Sequence, residues 1–419
     1  MALAQVFEAI VGPDAPVEFQ AYDGSTSGTP GSPIKITVRS PIAVSYLAQA
    51  PGALGLARAY VSGHLDVDGN MFTALSRLSK AQDSNISWGD RIQLLRDLGG
   101  PKVLFPRIAP PPQEVVPDRR RFTIGAMHSK KRDANSISHH YDVSNAFYEW
   151  VLGPSMAYTC ACYPTADATL EEAQEYKHDL VARKIDLKPG MRLLDVGCGW
   201  GGMVRHAAKN YGVKALGVTL SAEQASWAQE AIKREGLEEL AEVRHMDYRD
   251  APVDHFDAVS SIGLTEHIGI RNYPSYFGAL RERLRPGGRL LNHCITRADN
   301  QARTKFGAFV ERYVFPDAEL ASPGRVMSAV HDAGLEVQHS ENLRQHYALT
   351  LAAWNRNIVA NWDDCVAEAG IGRARVWGLY IAASRLGFER NWLQLHQVLA
   401  TRTTTAGDSS FPLRPDWTP

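Results

Sequence analysis

The sequence predicts an α/β protein with a Rossmann-like, doubly wound and mostly parallel sheet, preceded by a smaller N-terminal α+β domain. Three observations carry that prediction. Between residues 191 and 296, short apolar segments alternate with helix-period segments, the pattern of βαβ units stacked into a sheet covered on both faces. The first of those segments runs into the glycine-rich "LLDVGCGWGG" (193–202), a strand-to-helix turn that lets backbone N–H groups approach a ligand closely. Before Gly100 the texture differs, with isolated strand-like pieces set among Gly, Ser and Pro turns.

In chain order, the turn-rich "YDGSTSGTPGSP" (22–33) leads into "PIKITVRS" (33–40), which reads as a strand, and a helix is predicted near Ala53–Tyr60. The proline-rich "PRIAPPPQEVVPDRRR" (106–121) biases the backbone toward extended conformations and removes donors. It is read as a connector across a surface, which sets an N-terminal domain at 1–112 and a second domain at 113–395. There the predicted strands are "MRLLDVGCG" (191–199), "VKALGVTLS" (213–221), "FDAVSSIGL" (256–264) and "GRLLNHCIT" (288–296). Predicted helices run from Gly201 to Tyr211, from Ala222 to Gly236 and from Tyr273 to Leu284. From 396 to 419 the polar, Pro-rich sequence reads as a flexible C-terminal tail.

Composition excludes several classes. A chain of 419 residues with formal charge -1 and 44% hydrophobic residues is that of an ordinary globular enzyme, with no bulk attraction for nucleic acid. The odd, sparse cysteines at 160, 162, 198, 294 and 365, with no basic, apolar leader in "MALAQVFEAIVG", predict free thiols and a cytoplasmic location. No segment reaches the ~18 consecutive apolar residues of a membrane span, so any membrane contact is expected from the surface. "CAC" (160–162) has no second Cys/His pair at ligand spacing and H-E-x-x-H is absent, so no metal is expected.

The glycines fit two registers. Gly197, Gly199 and Gly202 match the G-x-G-x-x-G of dinucleotide sites, whereas Gly197, Gly199 and Gly201, with Asp195 two residues ahead, match the D-x-G-x-G-x-G of S-adenosylmethionine sites. A dinucleotide site expects an acid roughly 20 residues on to hold a ribose hydroxyl. The second strand instead ends in Thr219 and Ser221, with Glu223 already inside the next helix. The nicotinamide-dependent oxidoreductase reading is thereby weakened, and an acid at the strand end suits a ligand that carries an ammonium group.

Several separated segments, "HYDVSNAFYEWVLGPSMAYTCACY" (140–163), "LEEAQ" (170–174), "LDVGCGWGG" (194–202), "GVTLSAEQ" (217–224), "SIGLTEHIG" (261–269), "NHCIT" (292–296) and "HYALTLAAW" (346–354), resemble the cyclopropane fatty acid synthases and their mycolic acid relatives. The resemblance implies a class I methyltransferase fold. It also implies transfer of the methyl of S-adenosylmethionine to a cis double bond in an unsaturated phospholipid acyl chain, giving a cyclopropane or a methylene-branched chain. For the branched outcome a separate reductase would act on the product. For the cofactor it implies Tyr158 and Thr159 at the methionine part, Gly197 and Gly199 in backbone approach, Thr219, Leu220 and Gln224 on the ribose side, and Asp247 toward the adenine. For catalysis it implies a bicarbonate ion held by Cys160, Glu266, His293, a backbone group of Ile295 and Tyr347.

That set is chemically coherent. Methyl transfer to an alkene makes a carbocation, which needs one base and walls that offer no nucleophile. A small anion in an apolar pocket needs hydrogen bonds, and His293, Tyr347 and a protonated Glu266 supply them; aromatic faces such as Tyr163 or Trp200 would steady positive charge. The basic runs at 119–121 and 129–133 are read as a surface for anionic head groups, each charge contributing about 1 kcal/mol, which would seat the protein peripherally on the inner face of a membrane. A non-catalytic module binding lipid or S-adenosylmethionine is the other alternative, and the intact Cys160, Glu266, His293 and Tyr347 argue against it. The product, the double-bond position, the head group and the choice between monomer and homodimer stay open.

Overall fold

The computed structural model describes residues 2–81, 100–115, 143–300 and 307–417, so the basic runs at 119–121 and 129–133 lie outside the described residues. The chain divides into two compact units that interleave in sequence. One comprises 1–118, 307–316 and 358–386, and the other 119–306, 317–357 and 387–419. The first unit therefore draws on chain well beyond the break expected at 112.

In the first unit, β1 (Glu18–Ala21), β2 (Thr26–Gly28), β3 (Lys35–Val38) and β4 (Leu65–Asp68) form a sheet of order β2-β1-β3-β4. Alternation sets its inner face: Phe19 and Ala21 on β1, and Ile36 and Val38 on β3, turn into a core shared with Val17, Ile34, Tyr46 and Leu65. The predicted helix is present as Ala53–Val61. The connector does more than cross a surface, because Glu114 is buried and pairs with both Arg58 Nε and Nη2 at 2.6 Å while accepting from Tyr313 Oη at 3.2 Å. A bidentate pair of this kind fixes geometry as well as charge.

The second unit holds a seven-stranded sheet of β5 (Arg192–Val196), β6 (Lys214–Thr219), β7 (Ala241–His245), β8 (Phe256–Ile262), β9 (Leu284–Arg297), β10 (Glu336–Asn342) and β11 (Leu393–Thr401), in the order β10-β11-β9-β8-β5-β6-β7. From β9 to β7 the neighbours are parallel; β11 runs antiparallel to both β9 and β10. The order reverses at β5, so the crevice beyond the carboxyl ends of β5 and β8 is where a sheet of this class takes its ligand. Helices Gly202–Tyr211, Ala222–Arg234 and Tyr273–Arg283 stand where the alternation predicts them.

The C-terminal expectation is corrected. Residues 396–401 are not tail but most of β11, paired with β9 from Leu393 opposite Arg297 to Thr401 opposite Arg289, with Val398, Leu399 and Ala400 buried. Further on, Phe411 packs over the Arg289 guanidinium and Trp417 over Lys184 Nζ. The polar composition that suggested a loose tail is offset by these two aromatic anchors.

Candidate active site

The loop after β5 owes its shape to glycine. Gly197, Gly199 and Gly201 have φ of 71°, 54° and 74°, a region side chains with a Cβ seldom adopt. Gly197 N and Cys198 N both donate to Val218 O, at 2.9 and 3.0 Å, which pins the loop across the end of β6. Gly201 is the N-cap of helix Gly202–Tyr211. Gly202, the residue that completes the dinucleotide register, has a different role, since a Cβ there would stand 2.9 Å from His178 Cε1. It leaves room for the helix Leu170–Lys184 to pack close.

This loop forms one wall of a cavity whose other walls include Tyr158, Thr159, Lys177, Trp200, Gln224 and Gly263. Of the residues expected at the cofactor, Tyr158, Thr159, Asp195, Gly197, Gly199 and Gln224 line it together, and Gly201, Thr219, Leu220 and Asp247 do not. Thr219 works one step back, its Oγ1 donating to Gln224 Oε1 at 2.8 Å. Asp247 caps a short 3-10 turn and is ion-paired with Arg249 at 2.6 Å. Asp195 is buried and accepts from Ser260 Oγ at 2.6 Å; burial pushes its carboxyl up to about 7, against the lowering effects of Ser260 and Lys177. A buried acid with so little compensation fits a cationic ligand group, as the ammonium of S-adenosylmethionine requires.

The residues expected to hold a small anion lie on neighbouring elements of the same unit. Glu266 is buried in the short helix Thr265–Ile268 just past β8, and its Oε1 accepts from Ile295 N at 2.6 Å. The Ile295 N–H thus positions the carboxyl. Burial lifts Glu266 to about 7; because Oε1 is the acceptor, the protonated form carries its proton on Oε2, which has no partner among the described residues.

His293 on β9 is fully buried, and burial, then Lys177 and Lys184, hold it well below the ordinary histidine range. Its tautomer follows from a chain of contacts. Lys184 Nζ, also paired with Glu341, donates to Gln397 Oε1 at 2.7 Å, which turns the Gln397 amide nitrogen toward His293 Nδ1 at 3.2 Å. Nδ1 is therefore the acceptor and Nε2 carries the proton. Nε2 likewise has no partner among the described residues. With Glu266 protonated, these are two buried, orphaned donors, which fit an anion or an oxygen acceptor.

Cys160 is fully buried, its Sγ donating to Ala161 O at 3.1 Å, and burial holds the thiol well above its ordinary range. Helix Arg344–Ala360 clamps this segment through Thr350 Oγ1, which accepts from Ala161 N at 3.0 Å, and His346 Nδ1, which accepts from Tyr163 N at 3.0 Å. Tyr347, on the same helix, belongs to an aromatic succession: Tyr158 to Trp354 at 5.5 Å, Trp354 to Tyr347 at 6.0 Å, and Tyr347 to Phe388 at 4.5 Å. Of the two aromatic candidates, Trp200 lines the cavity, while Tyr163 stacks on His346.

Sequence reasoning missed Lys177, His178 and Gln397. The first two sit with Gln174 on the buried face of helix Leu170–Lys184, and a helix-period reading of "LEEAQEYKHDLVARK" puts these polar residues on the same stripe as Leu170, Ala173 and Val181, a signal that was available. Gln397 fell inside the stretch read as tail.

Residues 128–398 match the family model of mycolic acid cyclopropane synthetase. Over 425 aligned positions, 100% of this chain and 99% of the relative, the sequence is 55% identical to a probable fatty acid methyltransferase of Mycobacterium tuberculosis. It is 35% identical over 281 residues, 67% of this chain and 71% of the relative, to the cyclopropane-fatty-acyl-phospholipid synthase of Escherichia coli. Among solved structures, the mycolic acid cyclopropane synthase CmaA1 complexed with SAH and CTAB superposes with a TM-score of 0.61 at 29% identity, covering 64% of this chain and 97% of that one.

Proposed function

This chain belongs to the mycolic acid cyclopropane synthetase family and is an S-adenosylmethionine-dependent methyltransferase, and we propose that it methylates the cis double bond of an unsaturated phospholipid acyl chain. The observation that carries this reading is the pair of buried donors, Glu266 Oε2 and His293 Nε2, with no partner among the described residues, on elements that continue from the cavity wall. Gly263, in that wall, donates its N–H to His293 O at 2.8 Å. The lipid modifications named for the relatives point the same way.

When bound, S-adenosylmethionine supplies an electrophilic methyl group, and a bicarbonate ion supplies a base that also offsets positive charge. The chain's own part is positioning and exclusion. Asp195 and the glycine loop orient the methionine end. In its protonated form Glu266, with the Nε2 proton of His293, would hold the base, helped by Tyr347. Cys160 stays a thiol because it is buried, so the wall beside a cationic carbon offers no strong nucleophile. Trp200 and Tyr158 line the cavity, and their rings would favour positive charge there.

In this reading residues 1–112 help engage lipid, and the basic runs at 119–121 and 129–133 draw the enzyme to an anionic surface from the cytoplasmic side. Among the described residues no helix is long and apolar enough to cross a membrane. The test is incubation with methyl-labelled S-adenosylmethionine and liposomes of oleoyl phospholipid, with the released chains examined by mass spectrometry and NMR. Cyclopropane protons on a labelled chain identify ring closure. Vinylidene protons identify methylene branching and with it the need for a reductase. An unlabelled chain, with cofactor and liposome binding both demonstrated, overturns the proposal.

A further inference from the structure

Lys177 is 1% exposed and lies on the wall of the same cavity as Asp195. Its Nζ donates to Thr159 Oγ1 at 2.9 Å, and this neutral hydroxyl is its single hydrogen-bond partner among the described residues. No carboxylate there forms an ion pair with it. An ammonium has three donors, and burying one with so little compensation is costly. Burial accordingly pulls Lys177 down to about 8, against the opposing pull of Cys162, Cys160 and Asp195. The structural roles open to a buried lysine do not account for it, because a methionine or leucine would fill the same space without that cost.

We infer that Lys177 is the counter-charge for the carboxylate of the methionine end of S-adenosylmethionine. The ligand carries an ammonium and a carboxylate on one carbon, and the cavity carries Asp195 and Lys177 on facing elements, the end of β5 and helix Leu170–Lys184. Each protein charge lacks a close partner of opposite sign, and each ligand charge supplies one. Thr159 orients the arrangement: its Oγ1 accepts from Lys177, and its Cγ2 stands where a Cβ on Gly263 would come within 2.8 Å, so the hydroxyl and the ammonium are held in one place. The inference rests on S-adenosylmethionine occupying this cavity.

Calorimetric binding of three ligands to the wild-type chain and to Lys177→Met separates the readings. S-adenosylhomocysteine has both charged groups, its decarboxylated amine has only the ammonium, and 5'-methylthioadenosine has neither. In K177M the affinity for S-adenosylhomocysteine should fall at least ~30-fold, the effect of leaving one member of a buried charge pair alone. Affinity for the decarboxylated amine and for 5'-methylthioadenosine should change less than about threefold, well under one factor of ten in Kd. An equal loss across all three ligands, or no loss for any, overturns the inference. Failure of the wild type to bind S-adenosylhomocysteine strikes instead at the cofactor assignment. If K177M does not fold, the wild type still decides: a preference for S-adenosylhomocysteine over its decarboxylated amine below about threefold means that the carboxylate meets no buried cation, while ~30-fold or more upholds it.

Discussion

Replacing Glu266 by glutamine should stabilise the second unit at alkaline pH while abolishing turnover. Glu266 is raised from 4.5 to about 7, with burial the largest cause, and it is 5% exposed, so solvent screening leaves the effect largely intact. An acid that binds its proton more tightly in the native state makes folding less favourable as pH rises from the unfolded value to the native one. The penalty grows between pH 4.5 and about 7 and is then complete, at roughly 3 kcal/mol. Glutamine keeps the oxygen that accepts from Ile295 N and carries no charge at any pH. E266Q should therefore match the wild type near pH 4.5 and exceed it by up to roughly 3 kcal/mol above pH 7. Hydrogen exchange of buried β8 and β9 amides, compared between the two proteins at each pH, reads the opening energy of this unit without assuming two-state unfolding of the whole chain. Two pH profiles that run parallel, or a wild type that gains on E266Q as pH rises, would refute the reasoning, because a carboxyl strained by burial has no way to produce either.

Substituting Gly263 by alanine sets a Cβ within 2.8 Å of Thr159 Cγ2 at a φ of +76°; a stability loss of about 1–3 kcal/mol with weakened S-adenosylhomocysteine binding is expected, and unchanged calorimetric affinity would contradict it. Gln397→Leu removes the donor to His293 Nδ1 and should lower turnover about 10–100-fold, the size of loss seen when a metal-bound histidine loses its outer partner, with cofactor affinity intact; equal losses in both would reassign Gln397 to folding. A chain stopped at residue 395 loses most of β11 from between β9 and β10 and should give no cooperative unfolding transition by circular dichroism, whereas a soluble, cooperatively melting product would restore the reading of that segment as tail.

Four of the five parallel strands, β5, β6, β8 and β9, were legible because each contains a short apolar run, and after β6 a capped helix follows, with Ser221 ahead of Ala222–Arg234; β7, Ala241–His245, mixes charged and apolar residues and was missed. β11 was not. "LQLHQVLAT" mixes polar and apolar residues in the centre of a sheet, and its polar members have particular duties: His396 Nδ1 meets Thr296 Oγ1 at 2.8 Å and Gln397 joins Lys184 to His293. Local pattern reads such residues as solvated, since the partners that satisfy them lie a hundred or more residues away. The same limit hid Lys177. The helical period of "LEEAQEYKHDLVARK" puts Lys177 on the stripe of Leu170, Ala173 and Val181, but only the third dimension shows that it lines one cavity with Thr159, Asp195 and the glycine loop. The glycine loop, by contrast, is local in sequence, and so its register could be read directly.

The groups that matter for the proposed chemistry share one physical cause. Asp195 and Glu266 are both lifted to about 7 and Lys177 is pulled down to about 8, burial being the first cause in each. The same exclusion of water keeps Cys160 and Cys162 as thiols. Under the proposed carbocation chemistry the site gains from this twice, because solvent is the commonest nucleophile and thiolates are the strongest ones a protein offers. The cost is that each charge needed for binding is less favourable than it would be in water until its counter-charge arrives. If Asp195 and Lys177 face the two ends of one zwitterion, binding should draw Asp195 toward its ionised form and Lys177 toward its protonated form together. The buried charges are then stabilised by the ligand itself, and a cavity that is electrostatically unfavourable alone becomes selective for a molecule carrying both signs.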